Sequence, residues 1–295
     1  MFKRIGLFLL VNILVVSTIG LVSNLLGIRP YLSANGINYE SLLAICLLWG
    51  FAGSFISLML SKFMAKMAYR LKPITSTDPN FGYVVQAVNL FSKSAGISKT
   101  PEVYIYESPE VNAFATGPSK NNSLVAVSSG LLTKMRRDEV EGVIAHEVSH
   151  IANGDMVTMA LAQGVMNAFV MFLSRVAAFA ISQALRKDDD EGPGLGPFAH
   201  MMLTWVLDIL FGLLCLPILM WFSRYREFRA DAGGAKLAGR EKMIAALERL
   251  KSDHSPVDNR EPNLAAFKIS GAPKWIELIS SHPALDKRIA ALRSS

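Results

Sequence analysis

Apolar and polar positions follow one another on two different scales along this chain. Residues 5–26 (IGLFLLVNILVVSTIGLVSNLL) and 41–61 (SLLAICLLWGFAGSFISLMLS) run without a single charge. Each is long enough, as a helix, to cross a hydrocarbon layer of about 30 Å. They predict a pair of transmembrane helices. From about Pro79 the pattern shortens. FGYVVQAVNLFSKSAG (81–96) predicts an amphipathic helix stopping at Gly96, and PEVYIYES (101–108) and SLVAVSS (123–129) predict short strands rich in Val, Ile and Tyr. A brief helix is expected over 129–135. RRDEVEGVIAHEVSHIANG (136–154) reads as a helix with acids near its start and Gly154 as its stop. Two more apolar segments follow, 156–185 and 198–222, separated by RKDDDEGPGLGP. These predict a second membrane hairpin. The polar Gln163, Asn167 and Gln183 also fit segments resting in the interface or lining a water-filled cavity.

The expected organisation is therefore an N-terminal membrane hairpin (1–72), a first soluble part (73–155), a second hairpin (156–222) and a second soluble part (223–295). Composition agrees: 51% of residues are hydrophobic and 18% charged, with a mean hydropathy of +0.32, a balance typical of membrane proteins. Lys3 and Arg4 give the first segment the positive start of a signal peptide. Its apolar run is too long for one, no Ala-x-Ala-like site follows, and a second span comes soon after, so an uncleaved helix is expected. Basic residues set the orientation. Lys3 and Arg4 precede the first span, only Arg29 lies in the 27–40 connection, and Lys62, Lys66, Arg70 and Lys72 follow the second. The N-terminus and the region after Lys62 should face the cytoplasm. These juxtamembrane residues account for a net charge of +6 without any nucleic-acid partner, for which no binding signature is present. Arg175 and Asp208 fall at similar depth in the second hairpin and are expected to pair, because a lone charge in hydrocarbon is costly. The two cysteines, Cys46 and Cys215, sit in apolar segments and offer neither a disulfide framework nor a cysteine metal cluster.

The chemistry concentrates in the helix ending at Gly154. His146 and His150 are four apart, so one helix face brings both imidazoles to a single ion, with Glu147 beside it. HExxH is a geometric device for binding zinc: the metal polarises a peptide carbonyl and the glutamate takes a proton from the attacking water. Bare HExxH also occurs by chance on solvated helices, but the apolar neighbours Val143, Ile144, Val148 and Ile151 predict a buried helix. A catalytic zinc usually has three protein ligands. In SRYREFRADAGG (223–234), Glu227 and Asp231 are four apart. Glu227 is assigned as the third ligand and Asp231 as the carboxylate that orients a ligand histidine. Spacing alone equally allows an ordinary charged helix face balanced by Arg224, Arg226 and Arg229. If His150 and Glu227 meet at one ion, the chain between them crosses the membrane an even number of times. The site should then lie at the cytoplasmic membrane surface.

HEVSHIANGD, together with SRYREFRADAGGAKLAGREKMIAAL and SSHPALDKRIAALR, closely resembles the HtpX family of bacterial membrane zinc metallopeptidases, relatives of the CAAX prenyl proteases. The likeness spans nearly the whole chain, with several separated motifs in order. It implies an integral membrane α-helical protein with a cytoplasmic α+β zincin-like (gluzincin) catalytic domain. One Zn2+ per chain would be held by His146, His150 and Glu227, with Glu147 as general base. The implied role is that of a zinc endopeptidase in the bacterial inner membrane, cutting misfolded or damaged membrane proteins in quality control and stress response. Segments NAFATG (112–117) and SLVAVSSGLL (123–132) resemble family segments that precede the catalytic helix. They make Asn112, Ala113 and Phe114 either substrate contacts along an added strand or plain structural residues. His282 and Arg288 in SSHPALDKR match a family pattern of residues lining the substrate site, where they would donate to a developing oxyanion or a substrate carbonyl. A helix start, with Pro283 in its first turn, reads equally well there. An intramembrane protease of the site-2 type would put HExxH inside an apolar span, whereas Arg136, Arg137, Asp138, Glu139 and Glu141 precede it here. The alternative from another class is a membrane scaffold or transporter with a structural zinc. Such a site normally needs four ligands, a role that His282 would have to fill.

Overall fold

The structure, a computed structural model, describes residues 38–185, 195–252 and 280–294. The first expected span (5–26) and most of the acidic connection (186–194) lie outside these residues. The chain forms helices α1 (Tyr39–Tyr69), α2 (Gly82–Ser94), α3 (Ser129–Lys134), α4 (Arg137–Asn153), α5 (Asp155–Ala184), α6 (Pro197–Ala238), α7 (Arg240–Ser252) and α8 (Leu285–Ser294). Its strands are β1 (Lys72–Pro73), β2 (Glu102–Tyr106), β3 (Ala113–Ser119) and β4 (Asn122–Ser128). Two compact units emerge. One comprises Ala160–Pro217 with the chain up to Ile56, and the other Ser57–Met159 with Ile218–Ser295.

Among the described residues, α1, α5 and α6 are long and apolar enough to cross a membrane, with mean hydropathies of 2.1, 1.7 and 2.2. In the first unit Tyr39, Leu43 and Cys46 of α1 pack on Phe172 and Val176 of α5. Arg175 Nη1 stands 3.9 Å from Asp208 Oδ1. It is within ion-pair reach but beyond hydrogen-bond length, and the guanidinium also donates to the Met171 carbonyl one turn back at 2.9 Å. The expected pairing is thus an electrostatic contact between α5 and α6.

The second unit carries the sheet, in the order β1-β2-β4-β3. β1 is antiparallel to β2, β2 parallel to β4, and β3 antiparallel to β4. β4 is central and almost wholly buried, so it reads as a near-continuous apolar run rather than a strict alternation. On one face Val103, Val125 and Val127 meet α2 (Val84, Val88, Phe91) and α4 (Val140, Ile144, Val148, Ile151) in the main core. On the other face Tyr106, Leu124 and Ala126 are covered by Tyr69 and Phe114.

One connection follows the sequence expectation and one departs from it. Gly154 adopts left-handed φ 67° and caps α4, the stop expected there, and α5 starts at the next residue. Glycine reaches that conformation without the steric cost a Cβ imposes. At the other end, SRYREFRADAGG is not a separate helix. α6 continues from Pro197 to Ala238 as one helix of 42 residues, passing through Pro217. Proline costs one backbone hydrogen bond in a helix interior, and the strong helix formers around it carry the helix on.

Candidate metal centre

Helix α4 is set by its two ends. At the start, the Glu139 carboxylate accepts the Arg136 amide N–H at 2.8 Å, and at the finish Gly154 closes the last turn onto the His150 and Ile151 carbonyls. Between them the apolar face fixes the helix against the sheet, so His146 and His150 point the other way, their rings edge to face with centroids 4.6 Å apart. Helix α6 crosses this face closely. A Cβ on Gly233 would lie 2.0 Å from Ser149 Oγ and 3.1 Å from its Cβ, so glycine lets the helices approach, and Glu227 come in, without displacing that hydroxyl.

The result is a cluster of His146, His150 and Glu227 whose ligand atoms all lie within 4.8 Å of one another. His146 Nε2 and His150 Nε2 are 3.1 Å apart. Glu227 Oε1 is 3.2 Å from His150 Nε2, and Oε2 is 3.4 Å from His146 Nε2. Each imidazole is held from behind. His146 Nδ1 is 2.9 Å from Asp231 Oδ1, and His150 Nδ1 is 2.7 Å from Asp155 Oδ2. With both Nδ1–H groups donating to carboxylates, the Nε2 atoms of neutral imidazoles present two lone pairs to each other and to a carboxylate. That arrangement is repulsive unless a cation stands between them. Glu227 Oε2 adds to this: it is buried and accepts no hydrogen bond, although three nitrogens lie within 3.4 Å. The donor set therefore suits a divalent metal with nitrogen and oxygen ligands.

The electrostatics say the same. Burial opposes charge on His150, but Asp155 and Glu227 outweigh it and push the imidazole up to about 10. His146 is likewise raised, with burial opposed by Asp231 and Glu227. Burial works against ionisation of Glu227, yet His282, His146 and His150 hold its carboxyl well below the usual range. The pocket attracts positive charge, and a metal ion competes with protons for the same nitrogens. Glu147 moves the opposite way: burial raises its carboxyl above the ordinary value, only partly countered by His146 and His150.

The structure brings the other sequence candidates to different places. Asp231 (1% exposed) is clamped by Arg288 through Nε at 2.7 Å and Nη2 at 2.6 Å, and Arg288 Nη1 is 3.3 Å from Glu227 Oε2. His282 Nδ1 sits 2.7 Å from the same oxygen. His282 and Pro283 precede α8, whose Lys287 and Arg288 amides donate to the Ala284 carbonyl. Asn112 is tied by its backbone to Ser128, donating to Oγ at 3.1 Å and accepting from the amide at 2.9 Å. Ala113 begins β3, which packs beside α4. The Phe114 ring turns away into the aromatic cluster of Tyr69 and Tyr106, at centroid distances of 5.0 and 5.7 Å. Among the described residues, β3 is an edge strand paired only with β4.

Asp155 was missed from the sequence. Its carboxylate also accepts from Arg229 at 2.6 Å, and its carbonyl accepts from Arg226 at 3.1 Å. The signal lies in HEVSHIANGD, where an acid directly follows the glycine that ends the helix one turn after His150.

A histidine pair on one helix, a carboxylate from a second helix and a half-buried glutamate beside them are the parts of a metallopeptidase, and the chain belongs to peptidase family M48, whose profile matches residues 79–295. At the level of individual proteins, it is 51% identical over 294 residues to "Protease HtpX" of Shewanella loihica, covering 99% of each chain. It is also 51% identical over 295 residues to "Protease HtpX" of Shewanella piezotolerans, covering 99% of this chain and 100% of that one. Among solved structures it is similar to S. mikatae Ste24p, with a TM-score of 0.63 and 16% identity, over 97% of this chain and 66% of that chain. That likeness shows a shared fold.

Proposed function

We propose that the protein is a zinc endopeptidase of the bacterial inner membrane, which cuts misfolded or damaged membrane proteins in segments exposed at the cytoplasmic surface. The observation that carries the reading is the convergence of His146, His150 and Glu227, with Glu147 on the same helix face as the histidines. Full-length similarity to proteins named as proteases supports the activity, and three long apolar helices support the membrane. The substrate class, the cytoplasmic orientation and the gluzincin domain rest on the family resemblance and on the basic residues flanking the spans.

In this reading His146, His150 and Glu227 hold the zinc, which supplies a Lewis acid. Glu147 takes the proton from the attacking water and passes it to the departing amine nitrogen, a role suited to a carboxyl raised toward neutrality by burial. Asp231 and Asp155 fix the two imidazoles in the tautomer that leaves Nε2 free to bind. His282, 41% exposed at its side chain, donates to the substrate oxyanion. Arg288 serves better as a positioning residue, because Asp231 occupies its Nε and Nη2 and its side chain is buried. The substrate lies along the edge of β3 that β4 does not pair, where the backbone of Ala113 recognises it with little sequence preference, while the Asn112 N–H and C=O, already bonded to Ser128, hold the start of the strand in place.

The test is hydrolysis of an unfolded reporter protein by the full chain in detergent, stripped with chelator and then given zinc, beside Glu147→Gln. Zinc-dependent cutting that falls by about 10²–10⁴-fold in the variant is expected. Stoichiometric zinc with no cutting by either protein would favour a structural site.

A further inference from the structure

A cavity of about 270 Å³ opens between α6 and the approach to α8. Its α6 wall is Trp221, Tyr225 and Phe228, at i, i+4 and i+7 on one helix face, and His282, Arg224 and Lys287 complete the polar part of the lining. His282 belongs both to this cavity and to the surroundings of Glu227, whose Oε2 lies 2.7 Å away, and Phe228 is the residue next to Glu227. The cavity therefore borders the metal centre through His282, and Phe228 and Glu227 are consecutive residues of one helix.

We propose that this cavity is the specificity pocket of the peptidase: it takes one large apolar side chain of the substrate near the scissile bond and favours an acidic residue beside it. The inference rests on the protease reading above. Its volume is just under the range of roughly 300–1,000 Å³ found for sites that enclose a whole small molecule, so it suits a side chain rather than a cofactor. Aromatic walls provide large contact area with few rotors to freeze. Both ionic groups in the lining are cations, Arg224 and Lys287, and Arg224 already donates to the Ser280 carbonyl at 2.9 Å. An edge strand that reads only backbone leaves side-chain selection to a pocket of this kind.

The test uses the full-length zinc-loaded enzyme in detergent and a mixture of degenerate peptides, with products read by mass spectrometry. Phe, Leu or Met should be enriched at one position relative to the cut, and Asp or Glu at a neighbouring one. Phe228→Ala should lower the ratio of kcat/KM for a Phe peptide over its Ala counterpart by about tenfold, within the range a hydrophobic pocket contributes to discrimination. Lys287→Glu, an exposed change, should turn the acidic preference into a basic one. Binding of the same fluorescent peptides to Glu147→Gln, followed by anisotropy, should lose selectivity for Phe over Ala when Phe228→Ala is added. A wild type that cuts without positional preference overturns the pocket alone. So does an unchanged ratio in Phe228→Ala and Trp221→Ala, which would leave Trp221 and Tyr225 as anchors in the lipid interface. A zinc-loaded wild type that cuts no peptide overturns the protease reading and the pocket with it.

Discussion

Asp155→Asn separates the proposed metal centre from a chance cluster of polar groups. Asp155 is 1% exposed and divides its carboxylate between His150 Nδ1 at 2.7 Å and Arg229 at 2.6 Å. An amide of the same shape offers one acceptor and one donor. It can keep the imidazole bond only by turning its NH2 toward the guanidinium, or keep Arg229 and turn its NH2 toward Nδ1. The first choice removes the negative charge that makes Nε2 a strong ligand, and the second forces the wrong tautomer. Losses of this kind typically weaken metal binding 10–100-fold, or about 1.4–2.8 kcal/mol. Zinc affinity measured by competition with a chromophoric chelator should show that increase in Kd, and Asp231→Asn should match it from the other histidine. A folded Asp155→Asn protein binding zinc within twofold of wild type would refute the assignment of Asp155 to the metal site.

Gly233→Ala places a Cβ 2.0 Å from Ser149 Oγ and 3.1 Å from its Cβ. Overpacking should destabilise the protein by about 1–3 kcal/mol and weaken zinc binding in chelator titrations, and adding Ser149→Ala should restore part of both. Burial works against Glu102, but Lys62, Lys66 and Tyr104 bind its carboxylate and lower its pKa to about 2 from 4.5. A depressed folded-state value stabilises the fold above the unfolded pKa and loses that contribution as pH falls from about 4.5 toward 2. Thermal melts between pH 6 and 3 should therefore flatten in Glu102→Gln, by a modest amount because the site is partly solvated. Arg175→Asp and Asp208→Arg should each reduce folded yield in membranes, and the double exchange should recover it. Failure of that rescue would show that the 3.9 Å contact contributes nothing.

Periodicity was enough to locate most elements. Leu124 to Val127 read as a strand and Arg137 to Asn153 as a helix because burial of one face imposes its spacing on the sequence over a few residues. The same locality made HExxH legible: a separation of four is a property of any helix. The C-terminal limit of α6 was not legible, since nothing near Ser223 marks where the apolar span ends and the soluble part of the helix begins. By itself, then, the sequence determined two imidazoles on one face, a glutamate beside them and apolar runs long enough for a bilayer. Only the tertiary structure decided which carboxylate stands behind each imidazole. It placed Asp231 at His146 and Asp155 at His150, drew Arg288 onto Asp231, and turned Phe114 away from β3's neighbour α4 into an aromatic cluster. Those choices depend on how closely α6 crosses α4 at Gly233 and on how the cap at Gly154 places Asp155, and a crossing distance between residues 84 positions apart leaves no periodic trace in sequence.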